Sequence, residues 1–191
     1  MDQELKKPGK ADRTRAAILA AAQQLFAGQG YELTTVRDIA AIADIDPAMV
    51  IRYFGSKDEL FARAAVFNLK LPDLSKAERS EIGETLVRHF LSLWEGENAN
   101  GAMPILLRSA ASNKTAANKL REIFMGQVLP ALTHAGGRSG AAERAGLVSS
   151  QLLGLALCRY VLKLPPVVGL SQDMIIREVG RTIQRYATGE Q

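Results

Sequence analysis

The chain has 191 residues, 47% hydrophobic and 23% charged, with a net charge of +4. That is enough for one large domain, or a small domain joined to a larger one, without disulfide or metal staples. The N-terminus MDQELKKPGKADRTR lacks the apolar segment of a secretory signal, and no run of about 18 apolar residues occurs, so a soluble, cytoplasmic protein with no membrane partner is expected. The single cysteine, Cys158, cannot form an internal disulfide; its setting in LLGLALCRYVL predicts a buried thiol.

Helical patterns follow one another along the chain. Six basic residues (Lys6, Lys7, Lys10, Arg13, Arg15 and Arg37) face only Asp12 and Glu32 between positions 5 and 37, so a basic arm leads into the first helix. Ile18, Ala22, Leu25 and Phe26 form an apolar stripe that predicts this helix over about 12–27, with Gly28 and Gly30 ending it. Thr34 or Thr35 then caps a short helix carrying Val36, Ile39, Ala40 and Ala43. Asp46 and Pro47 start a third helix that runs to Phe54. Ser56 and Glu59 form a capping box for a fourth, which Leu71-Pro72 stops. Ser75 and Glu78 repeat the box ahead of a helix over about 76–94, and GENANG is a loop. Further helices are expected over about 103–112, 115–133 (kinked at Pro130), 141–164 (closed by Pro165-Pro166) and 172–187. The fold class is all-α.

The segment DIDPAMVIRYFGSKDELF combines apolar, aromatic and basic residues on one very short helix. Two short helices separated by ADID have the spacing of a helix-turn-helix, here about residues 35–54. Val50 and Phe54 lie four apart on one face, and with Ile39, Ala40 and Ile45 they are available to lock the crossing. The opposite face carries Ala48, Met49, Arg52 and Tyr53. A DNA major groove about 12 Å wide admits such a helix. Arg52 can pair with a guanine or a phosphate, Ala48 and Met49 with thymine methyls, and Tyr53 and Lys57 suit phosphates.

The stretch LTTVRDIAAIADIDPAMVIRYFGSKDELF resembles the DNA-binding signature of the tetracycline-repressor (TetR) family of transcriptional regulators, and RTRAAILAAAQQLFAGQGYELTT resembles that family's first helix. Thr35 to Ala40, Tyr53-Phe54 and Ser56-Lys57 stand where the family pattern expects them. The resemblance adds Thr34, Thr35 and Arg37 to the candidate DNA contacts. The chain departs from the pattern at Asp44-Ile45-Asp46, which replaces the usual Gly-Val-Ser turn and loses a glycine that eases positive φ. It departs again at Ile51, where a tyrosine is common. The resemblance implies a helix-turn-helix domain over 11–57 and a helical effector-binding and dimerisation domain over 58–191. It also implies a homodimer on a pseudo-palindromic double-stranded operator, and repression relieved by a largely apolar small molecule.

For the larger part, the segment Leu147–Leu162 is apolar around nearly its whole circumference, which fits deep core or a partner helix. The family's last two helices pair in a four-helix dimer bundle. That makes Leu152, Leu155, Leu157, Ile176, Val179 and Ile183 the candidate interface, with Gly154 and nearby Ala156 allowing close approach. Phe67, Phe90, Trp94, Leu107 and Phe124 are candidate walls of an effector cavity, with Arg108 as its polar anchor. The same apolar residues equally suit an ordinary core. His89 and His134 have no partner at metal-ligand spacing, and no acid/base or nucleophile set clusters in the sequence. No cofactor or metal is therefore expected. The rival readings are a small all-α enzyme and a DNA-binding regulator with no effector.

Overall fold

The first helix, α1 (Lys10–Leu33), shows how one glycine shapes the N-terminal part of the chain. The helix passes through Gly28 and breaks at Gly30, whose φ of 82° lies where a side chain is strained. The last turn then resumes as far as Leu33, beyond the expected end at residue 27. The reversal brings the Tyr31 ring back over Phe26 at 6.0 Å, and both rings meet Phe61 of α4 (Lys57–Ala64) at 5.0 Å. Ile18, Ala22 and Phe26 of the predicted stripe are buried with Leu60 and Phe61, while Leu25 is half-buried.

The computed structural model describes residues 9–64, 68–96 and 102–189. The chain folds as two compact units, Met1–Val66 and Phe67–Gln191, so α4 belongs with the first unit rather than beyond the expected boundary at residue 57. Lys6 and Lys7 of the basic arm, and all of GENANG after Gly96, lie outside the described residues. No strand occurs among the described residues.

In the first unit, α2 (Val36–Ile42) is capped by Thr35, not Thr34. Asp38 N donates to Thr35 Oγ1 at 3.2 Å and Thr35 N donates to the Asp38 carboxylate at 2.9 Å, a reciprocal box. Asp44 takes the left-handed conformation (φ 54°) at the position where the family pattern has glycine. Aspartate is one of the few side chains that tolerates it. Ile45 N then bonds Ala40 O at 3.0 Å, and Asp46 caps α3 (Pro47–Phe54) by accepting from Ala48 N at 2.7 Å. Ile39, Ala40, Val50 and Phe54 are buried where α2 and α3 cross, as their spacing predicted, while Ile45 is half-buried. At α4, Ser56 Oγ accepts from Glu59 N at 3.1 Å.

The second unit is organised by α5 (Ile82–Glu95) and α11 (Gln172–Thr188). They run antiparallel, with Gly83 beside Gly180 and Gln184 at one end and Glu95 bonded to Gln172 at the other. A Cβ on Gly83 would stand 2.2 Å from the Gly180 carbonyl oxygen, so only glycine permits this approach. Gln184 seals the crossing, accepting from Gly83 N at 2.7 Å and donating to Arg79 O at 2.6 Å.

Several expected boundaries shift, each for a local reason. The chain is non-helical from Asn68 to Pro72, so α4 has ended before Leu71. Ser75 turns its hydroxyl to Asp73 at 2.6 Å instead of opening a helix, and α5 starts only after a 3₁₀ turn over Arg79–Glu81. α6 (Ala102–Ser109) is followed by α7 (Lys114–Ile123), which Asn113 caps. A π turn over Phe124–Val128 leads into α8 (Leu129–Gly136), so Pro130 sits in a first turn where its missing N–H costs little. The loop to α9 (Ala141–Ala156) uses positive φ at Gly137 and Gly140, and the Arg144 guanidinium donates to the carbonyls of Gly137 and Ser139. A second π turn, Leu157–Val161, ends that run. Pro165-Pro166 do not close it; they open the single-turn helix α10 (Pro165–Val168). Cys158 is half-buried rather than buried.

Candidate nucleic-acid interface and ligand cavity

Once Val50 and Phe54 are committed to the interior of the first unit, α3 must turn its other residues outward. Ala48 and Arg52 are exposed and Met49 and Tyr53 half-buried, so the four predicted residues share one outward surface. Ile51, 44% exposed, adds an apolar side chain to solvent. Arg37 on α2 is also exposed. Thr35 is exposed, with its hydroxyl engaged in the cap. Thr34 is a correction: its side chain is fully buried and its hydroxyl donates to Gly30 O at 2.7 Å, so the closure of the α1 kink takes it away from any docking face.

Electrostatics on this surface are largely local. Asp38 is held below the usual carboxylate range first by its side-chain bond from Thr35 and then by the Thr35 backbone. Asp46 directs its carboxylate at the α3 N-terminus. Lys57 Nζ lies 4.1 Å from the centre of the Tyr31 ring, and the Tyr31 hydroxyl donates to Asp58 at 2.5 Å. Arg15 stacks over Tyr53 at 5.4 Å. Both predicted phosphate partners, Tyr53 and Lys57, thus have intramolecular cation–π contacts that no sequence spacing pairs. The kink at Gly30 is what delivers Tyr31 to Lys57.

The second unit holds a partly open cavity of about 120 Å³. Phe90 and Trp94 of α5 and Phe124 of the π turn line it as expected, together with Leu86, Ile123, Val148 and other aliphatic side chains. Phe67 lies outside the described residues. Leu107 is half-buried and Arg108 exposed, and neither lines the cavity: α6 turns both away while burying Met103, Ile105 and Leu106. The polar lining residues are His89 and Ser149, which sequence periodicity did not single out. His89 Nε2 lies 2.7 Å from Leu69 O, which can only accept, so that nitrogen carries a hydrogen.

Behind the cavity wall, Trp94 stacks on Tyr160 (4.8 Å, 10°), and the Tyr160 hydroxyl donates to Glu95 at 2.6 Å. Arg159 Nε pairs with the same carboxylate at 2.8 Å, while its Nη1 donates to the carbonyls of Val167, Val168 and Leu170. Burial raises the Glu95 carboxyl, but the bonds from Tyr160, Gln172 and Arg159 together outweigh it and hold the group below the ordinary range. Burial, then the Glu95 carboxylate, pushes the Tyr160 phenol well above its own. No sequence spacing announces this cluster, because its members come from α5, the second π turn and α11.

The candidate interface residues separate. Leu155, Ile176 and Ile183 are buried within the chain itself, Ile183 completely, so they are core and not a free surface; Ala156 is buried too. Leu152 is half-buried and lines the cavity, and Val179 is half-buried. Leu157 is exposed at 38% and shares a helical stripe with Leu147 (47%) and the exposed Gly154. Among the described residues no group of His, Cys, Asp or Glu could hold a metal ion, and no helix is long and apolar enough to cross a membrane.

Two family descriptions match the chain: "Bacterial regulatory proteins, tetR family" over residues 18–64, and "Tetracyclin repressor-like, C-terminal domain" over 80–187. The HTH-type transcriptional repressor Rv3405c of Mycobacterium tuberculosis is 46% identical over 55 residues, a segment that spans 29% of this chain and 29% of that protein. A TetR-family regulator of Streptomyces coelicolor, SCO0857, is 30% identical with a TM-score of 0.56, covering 95% of this chain and 98% of its own. The multidrug binding protein EbrR, solved with imidazole, shares the fold at a TM-score of 0.70 and 17% identity, covering 97% of this chain and 96% of its own. With one description on the helix-turn-helix unit and the other on more than half of the chain, this protein belongs to the TetR family of bacterial regulatory proteins.

Proposed function

We propose that the chain is a cytoplasmic, homodimeric transcriptional repressor that binds a pseudo-palindromic operator through α3 and releases it when a small molecule enters the cavity of the second unit. The observation that carries the DNA reading is the division of α3. Val50 and Phe54 are held in the core, while Ala48 and Met49 are presented on the first turn, the part of a recognition helix that meets base edges, and Arg52 on the last turn of the same short helix. The dimer reading rests on Leu147, Gly154 and Leu157, a stripe that the described residues of a single chain leave exposed. Nothing lies within 4 Å of a Cβ built on Gly154, which leaves room for a partner helix. Two copies place two recognition helices on two half-sites. The effector reading rests on the apolar cavity; a ligand that binds one arrangement of the dimer better than the other shifts the DNA equilibrium by that difference.

Duplexes retained by the purified protein from a random pool, then titrated by fluorescence anisotropy across a salt series, test this function. A retained inverted repeat with salt-dependent affinity is the expected result; binding that ignores both sequence and salt overturns it. Sedimentation of Leu157→Glu tests the assembly: the variant should fold and run as a monomer, since its site is exposed in the single chain. A monomeric wild type at micromolar concentration overturns the dimer.

A further inference from the structure

The cavity's lining restricts the chemistry of what it can hold. No charged side chain lines it among the described residues, and the lining residues with polar side-chain atoms are His89, Ser149 and Trp94 through its indole N–H. Nε2 of His89 is engaged with Leu69 O. The Ser149 hydroxyl makes no hydrogen bond to another described residue, so its donor and acceptor are free at the cavity wall. The walls are otherwise hydrocarbon, with Phe90, Trp94 and Phe124 presenting rings, and Phe90 and Trp94 lie 5.8 Å apart in a tilted pair. The volume, about 120 Å³, falls a little below the ~150 Å³ of an engineered apolar cavity that takes benzene.

From these features we infer that the effector site selects a small neutral molecule built on a single aromatic ring and carrying at most one hydroxyl-type group, which Ser149 reads, and that it rejects cations and anions of the same size. The inference rests on the effector reading above and adds the ligand's charge class to it. The physical reason is desolvation. An ammonium or carboxylate entering this space gives up much of its water and meets no opposite charge among the described lining residues, whereas a neutral ring gains contact with the apolar walls. A single hydroxyl finds one partner and leaves no second polar group unsatisfied.

Trp94 is the only tryptophan in the chain and it lines the cavity, so its fluorescence reports occupancy directly. The full-length protein is titrated at pH 8 with four probes of matched size: ethylbenzene, benzyl alcohol, benzylammonium and benzoate. The two neutral probes should change Trp94 emission saturably, and the two charged ones should bind about 100-fold more weakly or not at all. Ser149→Ala should weaken benzyl alcohol several-fold and leave ethylbenzene unchanged. Leu152→Phe, which adds bulk to the wall, should weaken both neutral probes. Benzylammonium or benzoate binding within tenfold of benzyl alcohol overturns the charge selection, and so does the failure of both neutral probes to bind. Equal loss of benzyl alcohol and ethylbenzene in Ser149→Ala, or no loss of either, overturns the assignment of Ser149. Operator release is measured in parallel: neutral binding without release leaves the ligand class standing and defeats the effector reading, while release by a charged probe does the reverse.

Discussion

The two units are built from the same material by different rules. In the first, order comes from contacts a few residues apart: the Thr35–Asp38 box, the left-handed Asp44, the Asp46 cap and Pro47 place α2 and α3 before any distant residue is consulted. In the second, order comes from residues about a hundred positions apart, as where Gly83 meets Gly180 and Gln184. A recognition helix must hold a fixed pose on DNA, and local caps set such a pose with few residues. A cavity must be enclosed, and enclosure needs walls drawn from distant helices. The short-range unit should therefore fail at single buried contacts, and the long-range unit at its points of closest backbone approach.

The largest effect is expected at Val50→Asp. Its carboxylate would enter a site 1% exposed with no partner, costing about 4 kcal/mol, melting the first unit and abolishing DNA binding. Trp94 fluorescence should still report ligand binding in the second unit; if both fail together, the units are not separate in stability. Gly83→Ala comes next, because its methyl group meets the Gly180 carbonyl oxygen and Gln184 N. A loss of about 3 kcal/mol in denaturant melts is expected, and a loss under about 1 would show that α5 and α11 can part without penalty.

Arg52→Ala tests the docking face itself. Operator affinity should fall by about 1–3 kcal/mol and random-sequence affinity by less. Lys57→Ala should weaken both alike and lower the salt slope by about one unit. An unchanged slope would mean that Lys57 keeps to the Tyr31 ring in the complex. Glu95→Gln should cost stability near neutral pH and converge on wild type in acid. The folded-state carboxyl sits below its ordinary value of 4.5, so it contributes stability above that value which is lost as pH falls through the lower folded one. Chemical melts of wild type between pH 5 and about 3 should therefore decline more steeply than those of Glu95→Gln. The smallest effect is Asp44→Gly, which relieves the left-handed strain and should raise first-unit stability by about 0.5 kcal/mol after the entropic cost of glycine. A decrease would show that the Asp44 side chain supports the turn.

By itself the sequence determined the all-α class, the helix-turn-helix and its boundaries, the Asp46–Pro47 start of α3, and the division of that helix between Val50 and Phe54 inside and Arg52 outside. Periodicity and capping are local, and a helix four residues either side of a position already decides its face. Legibility ended where a residue's role depended on what another helix brought to it. Leu152, Leu155 and Leu157 read alike in a continuous apolar run, yet packing sends the first to the cavity, the second into the core and the third to the surface. Thr34 and Thr35 were equivalent caps until the Gly30 kink buried one of them. Sequence pattern points to Arg108 and not to His89 or Ser149 at the cavity, because a cavity is the space several helices leave between them and no single helix's period describes it. The same reason hid the Glu95–Arg159–Tyr160 cluster and the Gly83–Gly180 crossing: each pairs residues that only the closed tertiary fold makes neighbours.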